Sequence, residues 1–215
     1  MRKGNETRER ILDIAEAGVL AKGFGATSID EIIAEAGITK SGFFYHFKDK
    51  NELARGLLSR YDRHLAQLLE EFFGRASELS DDPLQRLLIG LTLFAEYMAE
   101  MPGGHPGCLV ATMSYQDRLF DREVRSMVTS IVQGWNDFFR SMLDEIVAVY
   151  QPREAVDAER LARAICCSID GGIIMSKALG DPQVLPEQML MARNYIKLVF
   201  QPAAIHAVPR EAVAA

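Results

Sequence analysis

TSIDEIIAEAGITKSGFFYHFKDKNEL, residues 27–53, is the stretch of this sequence that decides its fold. Ser28, followed three residues later by Glu31, matches a capping box, which is a signature of a helix N-terminus. Gly37 can adopt the left-handed conformation that ends a helix, and Thr39 can cap a second, shorter helix after it. The segment therefore predicts a helix, a glycine-containing turn and a short helix, which is the arrangement of a helix-turn-helix.

Outside this segment, apolar side chains recur at helical spacing almost everywhere, and no useful length of the chain alternates as a strand does. We predict an all-α protein of about nine helices. The predicted organisation is an N-terminal three-helix domain containing the helix-turn-helix at residues 1–50 and a second helical domain at residues 51–201. A long linking helix runs to about residue 79, and residues 202–215 form a frayed tail.

The charge of the chain is unevenly distributed. Its 215 residues carry a formal net charge of -6, yet residues 1–60 hold ten Lys and Arg against nine Asp and Glu. The acidity therefore lies in the rest of the chain, and it does not oppose contact between the N-terminal domain and the phosphates of a nucleic acid.

Other features of the sequence narrow the class of protein. No apolar run approaches the length of a membrane span and the charged start is unlike a signal peptide, so we predict a cytoplasmic protein with no membrane partner. Three cysteines without metal-ligand spacing predict no disulfide framework, no metal and no cofactor.

The short helix carries side chains that are suited to DNA. Hydroxyl groups, a lysine and aromatic rings are concentrated within about two turns that are too polar at their start for a core helix. Such groups contact phosphates and base edges in protein–DNA complexes. Lys50, Thr27 and Ser28 stand at helix starts, where exposed backbone amides can also hold a phosphate.

Residues 27–53 resemble the signature of the TetR family of repressors, and the likeness covers about the first sixty residues. The resemblance implies a recognition helix whose start faces base edges, with Phe43 able to meet a thymine methyl. Phe44 departs from the family pattern, which commonly has a tyrosine there, and Tyr45 is a candidate to replace the lost backbone contact. The predicted DNA-binding residues are Thr27, Ser28, Thr39, Lys40, Ser41, Gly42, Phe43, Tyr45, His46 and Lys50.

The resemblance also implies that a homodimer binds a palindromic double-stranded DNA operator and is released by a small-molecule inducer. Methionine and aromatic side chains of the second domain can together line an apolar ligand pocket, although each of them alone is more typical of a solid core. Asp170 stands among apolar and small residues, where it is either a ligand anchor or a structural hydrogen-bonding group. The predicted ligand-binding residues are Met98, Met101, Cys108, Met113, Tyr115, Trp135, Phe138, Met142, Asp170 and Met175.

Cys108 opens a helix after a break rich in glycine and proline, where a thiolate can be stabilised. Some TetR-family sensors of electrophiles have a cysteine near the same break, so Cys108 is either such a sensor or a packed core residue. Cys166 and Cys167 are interpreted as packing residues.

The helix predicted at residues 157–179 is apolar or small on nearly every side, which indicates burial against two neighbours, one of them a symmetric partner chain. The predicted dimer contacts lie on this helix and on the last one: Ala164, Ser168, Gly171, Gly172 and Ile196.

Two other classes of function compete with this interpretation. An enzyme is disfavoured because the sequence contains no HExxH or ExxH pair, no nucleophile elbow and no phosphate-binding loop. A helical protein-interaction module without DNA affinity would share every feature of the second domain, so only the N-terminal domain distinguishes it. The sequence is equally compatible with activation of transcription in place of repression.

Overall fold

The computed structural model describes the backbone of residues 2–200 and the side chains of residues 4–200; the predicted tail at residues 202–215 lies outside them. Over residues 2–200 the chain forms nine α-helices and no strand, which confirms the predicted all-α fold. None of these helices is both long and apolar enough to cross a bilayer. The helices are α1 (Arg2–Lys22), α2 (Ile29–Ala36), α3 (Lys40–His46), α4 (Lys50–Leu79), α5 (Pro83–Glu100), α6 (Leu109–Ser114), α7 (Arg122–Val149), α8 (Ala158–Leu179) and α9 (Val184–Phe200), with a 3₁₀ turn at Asp117–Leu119.

The helix-turn-helix has the termini that its sequence predicts. Ser28 Oγ accepts a hydrogen bond from the Glu31 amide at 3.2 Å, and the Ser28 amide donates to Glu31 Oε2 at 3.0 Å, which completes the capping box. Gly37 ends α2 in the left-handed conformation with φ of 63°. Thr39 caps α3, since its Oγ1 accepts from the Gly42 amide at 3.1 Å. The turn between α2 and α3 is therefore fixed by local hydrogen bonds.

A long α4 connects the two ends of the molecule. Leu53 and Leu57 in its first turns are buried, and the helix packs against α1 as well as against α5 and α7. The helices α5–α9 form a bundle in which α8 packs on α7 and α9, and α9 packs on α5. One continuous helix is therefore shared by α1–α3 and by the bundle.

Polar contacts tie α1–α3 to the remaining helices. Arg60 of α4 donates to Asp13 and to Glu16 of α1, both at 2.6 Å. Just after α6, Gln116 Oε1 accepts from the Gly25 amide at 3.0 Å. Lys177 of α8 donates to the Leu20 carbonyl at 2.7 Å. The position of α1–α3 therefore depends on α4, α6 and α8.

Candidate nucleic-acid interface and cavity

One face of α3 is open to solvent and carries the predicted DNA-contacting chemistry. Lys40, Ser41, Phe44 and Tyr45 occupy this face, and Tyr45 is 82% exposed. The ammonium of Lys40 is 3.9 Å from Asp30 in an exposed ion pair, which is too weak to hold the side chain in one place. The face offers a cation, a hydroxyl and two aromatic rings to a partner.

The prediction for Phe43 is wrong, because its ring is 0% exposed and packs 5.8 Å from the Phe47 ring. Residues four apart share one face of a helix, so Phe43 and Phe47 point together into the core. Phe44 lies on the outer face at 40% exposure. The exposed apolar group of α3 is therefore Phe44, the residue that departs from the family pattern.

Of two further predicted phosphate contacts, Thr27 is wrong because it is buried, and Lys50 stays a prediction but is hydrogen-bonded within the protein. Thr27 is 3% exposed, and its hydroxyl donates to the Gly23 carbonyl at 3.0 Å. Lys50 donates to the Phe24 carbonyl at 2.7 Å and lies over the Phe24 ring, so burial lowers the pKa of its ammonium. Both side chains fasten the turn between α1 and α2.

The remaining predicted contacts have mixed exposure. Ser28 and Thr39 are exposed, but their hydroxyl oxygens cap α2 and α3; Gly42 is half-buried. His46 is half-buried beside the Tyr45 ring, and burial, with a smaller contribution from Arg8, lowers the pKa of its imidazole. Lys48, which the sequence analysis did not single out, is exposed just after α3. Its position between two helices is the signal that could have identified it.

A cavity lies between α4, α5, α7 and α8. The space in it that the centre of a water-sized sphere can reach is about 50 Å³. Of the predicted ligand-binding residues, Met98, Trp135 and Asp170 line it. The lining residues that the sequence analysis missed are Tyr61, Leu65, Leu69, Phe94, His105, Phe139, Cys166, Ile169 and Ile173.

Two predicted ligand residues face solvent. Tyr115 ends α6 with its ring 82% exposed, and Met175 is exposed on α8. Met175 follows Asp170 by five residues, which turns it about 140° around the helix and away from the cavity. The prediction is wrong for both.

Four further predicted ligand residues are absent from the lining. Met113 is fully buried in the core. Phe138 packs edge-to-face on Phe73 at 5.1 Å, while Met101 and Met142 pack partly buried against the core. These four side chains therefore fill the interior, as a solid core requires.

A string of polar groups stands at the cavity. The hydroxyl of Tyr61 is 3.6 Å from the sulfur of Cys108, and Asp170 is near enough to Cys108 for its carboxylate to raise the pKa of the thiol. Burial raises the pKa of Asp170, and the neighbouring Cys108 thiol partly offsets that effect. A tyrosine within the apolar stripe of α4 is the signal that could have identified Tyr61.

Cys108 is buried beside this cavity, and its surroundings oppose a thiolate. Burial, followed by the nearby carboxylate of Asp170, raises the pKa of the thiol to about 11. We therefore expect Cys108 in the native protein to react with N-ethylmaleimide at pH 7.5 at least ~100-fold more slowly than a small free thiol. Peptide mass spectrometry after timed exposure measures this rate, and the chain unfolded in guanidinium is the control. Rapid native modification would instead favour the electrophile-sensor hypothesis.

The predicted dimer residues divide into two groups. Ala164 is exposed, and Ser168 and Gly171 are partly exposed on α8. Gly172 and Ile196 are wrong as contacts to a partner chain, since both are buried between α8 and α9 of the same chain. A Cβ atom at Gly172 would lie 3.0 Å from the Leu185 backbone, so the glycine allows the two helices to approach closely.

The outer face of α8 and α9 carries large apolar side chains, none of which except Met175 was singled out by the sequence analysis. Two of them, Met191 and Tyr195, line a groove of about 200 Å³ together with Ala164 and Ser168. The exposed apolar residues of this face are Ile174, Met175, Leu179, Met191, Tyr195 and Leu198.

Models of two known domains match most of the chain. The model described as bacterial regulatory proteins, tetR family, matches residues 11–57, and the model described as the tetracyclin repressor-like C-terminal domain matches residues 83–190. The first match contains α2 and α3, and the second contains α5–α8 with most of the cavity. Both halves of the fold are thus recognised independently.

Individual proteins agree with these matches. The chain is 29% identical to the HTH-type transcriptional regulator TtgR of Pseudomonas putida, over 79% of each chain. It is 26% identical to the transcriptional regulator AcuR of Cereibacter sphaeroides, over 73% of this chain and 69% of that one. A TetR transcriptional regulator of Chloroflexus aurantiacus superposes with a TM-score of 0.75 at 26% identity, over 94% of this chain and all of that one. The chain therefore belongs to the TetR family of DNA-binding transcriptional regulators.

Proposed function

We propose that this regulator is a homodimeric repressor that binds a palindromic operator through α3 and is released when a small molecule occupies the cavity. Residues 1–50 bind DNA in this proposal, and residues 51–201 bind the ligand and form the dimer. The observation that carries it is the open face of α3, where Lys40, Ser41 and Tyr45 are exposed together.

The face of α3 fits the major groove, which admits one helix. Lys40 and Ser41 in the first turn reach base edges, while Phe44 supplies the apolar contact to a thymine methyl. Tyr45, with Lys48 after the helix, contacts phosphates on the groove wall. Two such helices in a symmetric dimer stand one turn of duplex apart, roughly 34–36 Å, and so require an operator with matching symmetry.

Release by a ligand follows from the position of the cavity. Tyr61 lines it, and the preceding residue of α4, Arg60, holds α1 through Asp13 and Glu16. A ligand that binds better when α4 is displaced therefore favours a different placement of α1–α3. By linkage, the operator lowers ligand affinity by the same factor by which the ligand lowers operator affinity.

The test is a fluorescence anisotropy titration of the protein with the duplex upstream of its own gene. We expect Lys40→Ala and Tyr45→Ala each to weaken binding about tenfold, which is the size of one or two lost hydrogen bonds to phosphate or base. If Lys40 neutralises a phosphate, its removal also lowers the salt slope by about 0.9. Arg75→Ala removes an exposed cation of α4 and serves as the control.

Two results would contradict the proposal. A wild-type dimer that binds the duplex no better than an unrelated duplex would favour the protein-interaction module. Unchanged affinity in the Lys40→Ala and Tyr45→Ala variants would show that α3 does not enter the groove. Sedimentation measurements on the same variants check that the oligomeric state is unaltered.

A further inference from the structure

The size of the cavity limits its ligand. It offers about 50 Å³ to the centre of a water-sized sphere. A single water needs roughly 10–15 Å³ on that scale, and a cavity of about 150 Å³ takes a benzene ring. A ligand of this cavity is therefore a molecule of a few non-hydrogen atoms, smaller than a benzene ring.

Trp135 belongs to the cavity lining, and its indole carries a donor that no other described residue uses. Its Nε1 is buried and has no hydrogen-bond partner among the described residues. An indole can only donate, and a buried donor left unpaired is destabilising. Trp135 therefore calls for a ligand that carries a hydrogen-bond acceptor.

His105 supplies a second donor to the lining. Burial lowers the pKa of its imidazole to about 4, so the ring is neutral at physiological pH. Its Nδ1 accepts from the Gly107 amide at 3.2 Å, which places the remaining proton on Nε2. Two residues of the lining, Trp135 and His105, thus each carry an N–H group, and a single carbonyl oxygen with two lone pairs can accept from both.

Asp170 has the opposite requirement. Its half-buried carboxylate belongs to the cavity lining, and its oxygens can only accept hydrogen bonds. The residues that line the cavity include no lysine or arginine, and Asp170 has no ion-pair partner in the described part of the chain. A ligand must therefore bring a donor to Asp170 and cannot carry a negative charge beside it.

We propose that the cavity selects a small neutral carboxamide, whose carbonyl accepts from Trp135 and His105 and whose NH₂ group donates to Asp170. This proposal rests on the proposed ligand response and names the chemical class of the ligand. An ammonium ion would donate to Asp170 but leave the N–H groups of Trp135 and His105 without an acceptor. A carboxylate would accept from both N–H groups but be repelled by the carboxylate of Asp170. A neutral amide serves all three groups and enters the apolar cavity without the cost of burying a charge.

Four molecules of nearly equal size distinguish these possibilities: propionamide, propionate, propylammonium and butan-2-one. Trp135 is the single tryptophan of the chain, so its fluorescence reports on the cavity directly. We expect propionamide to change this fluorescence saturably. Its affinity should be at least about tenfold higher than that of the other three molecules, which is the contribution of one hydrogen bond or more. Equal or tighter binding of any other probe, or saturation by none of them, would overturn the proposal.

Variants show whether the named groups contact the ligand. In Asp170→Ala, we expect propionamide affinity to fall about tenfold and propionate affinity to rise, because the repelling carboxylate is gone. In Trp135→Phe, we expect a similar loss of propionamide affinity. Because this variant lacks the fluorophore, its affinity is measured by saturation-transfer NMR. Tyr115→Phe, on an exposed ring, is the matched control. If Asp170 has only a structural role, Asp170→Ala lowers the affinities for propionamide and propionate alike. That result would contradict the proposal.

The two proposals fail in different ways. If wild-type protein binds its operator but no propionamide, the regulator stands and the ligand class is wrong. If propionamide binds with the expected preference but leaves operator affinity unchanged, the ligand class stands and release by this cavity is wrong.

Discussion

A chain with both Met191→Asp and Leu198→Asp is expected to be monomeric at micromolar concentration and to lose about a thousandfold in operator affinity. Both side chains are more than 60% exposed on the outer face of α9, beside the partly exposed Ser168 and Gly171 of α8. If two copies pair through this face, the substitutions bury four carboxylates without partners, which costs several kcal/mol per charge.

The loss of operator affinity follows from the loss of symmetry. A monomer presents one α3 helix, so the second half-site no longer adds to binding, and the avidity gain of about 10²–10⁴ disappears. Sedimentation velocity measures the oligomeric state and anisotropy measures operator affinity. Circular dichroism tests whether the helices persist, as expected of changes on a solvent-exposed face.

The matched control is Leu79→Asp, which places the same charge on an equally exposed apolar residue at the end of α4. We expect this variant to remain dimeric and to bind the operator as the unaltered chain does. A dimer that survives both α9 substitutions would place the interface on another face. If Leu79→Asp produces a monomer, the interface likewise lies on a face other than that of α8 and α9.

The helix-turn-helix could be predicted from the sequence because its signals are local. The pair Ser28 and Glu31 lies within one turn of chain, and Gly37 needs only its own backbone conformation. Phe43 and Phe44 were not distinguished in the same way. The sequence shows only that two phenylalanines are adjacent, and either ring could face outward. The packing of Phe43 against Phe47 decides that Phe44 does.

The cavity could be predicted only in part, because it is formed by residues far apart in the sequence. Asp170 was identified since a carboxylate within an apolar helix needs a reason. His105 lies in the loop after α5, and nothing near it in the sequence indicates that it meets α4, α7 and α8. For Lys50, the sequence suggested a contact that the fold does not require. Its charge is typical of a phosphate contact, and only the fold shows that its ammonium donates a hydrogen bond to the Phe24 carbonyl.

The same substitution at two helical glycines is expected to change stability in opposite directions. At Gly90 of α5, a Cβ atom would lie 2.3 Å from the ring of Phe73 on α4, which is far inside contact distance. Phe73 cannot swing away, since Phe138 and Phe139 pack edge-to-face on it at 5.1 and 5.7 Å. We expect Gly90→Ala to destabilise the protein by about 2–3 kcal/mol, even after the gain in helix propensity of about 1 kcal/mol.

Gly134 of α7 is the matched control, because a Cβ atom there would meet nothing within 4 Å. Gly134→Ala should therefore stabilise the protein by about 0.5–1 kcal/mol through helix propensity alone. Thermal unfolding at one fixed chain concentration measures both changes, at roughly 2–4 °C per kcal/mol for a chain of this size.

The close approach of α4 and α5 at Gly90 has a second, more specific consequence. Phe73→Leu alone removes buried ring atoms and should destabilise the protein, but in combination with Gly90→Ala it makes room for the added methyl. We therefore expect the double variant to be more stable than the sum of the two single losses predicts, by at least about 1 kcal/mol. Strict additivity, or a harmless Gly90→Ala, would mean that another residue sets the spacing of these two helices.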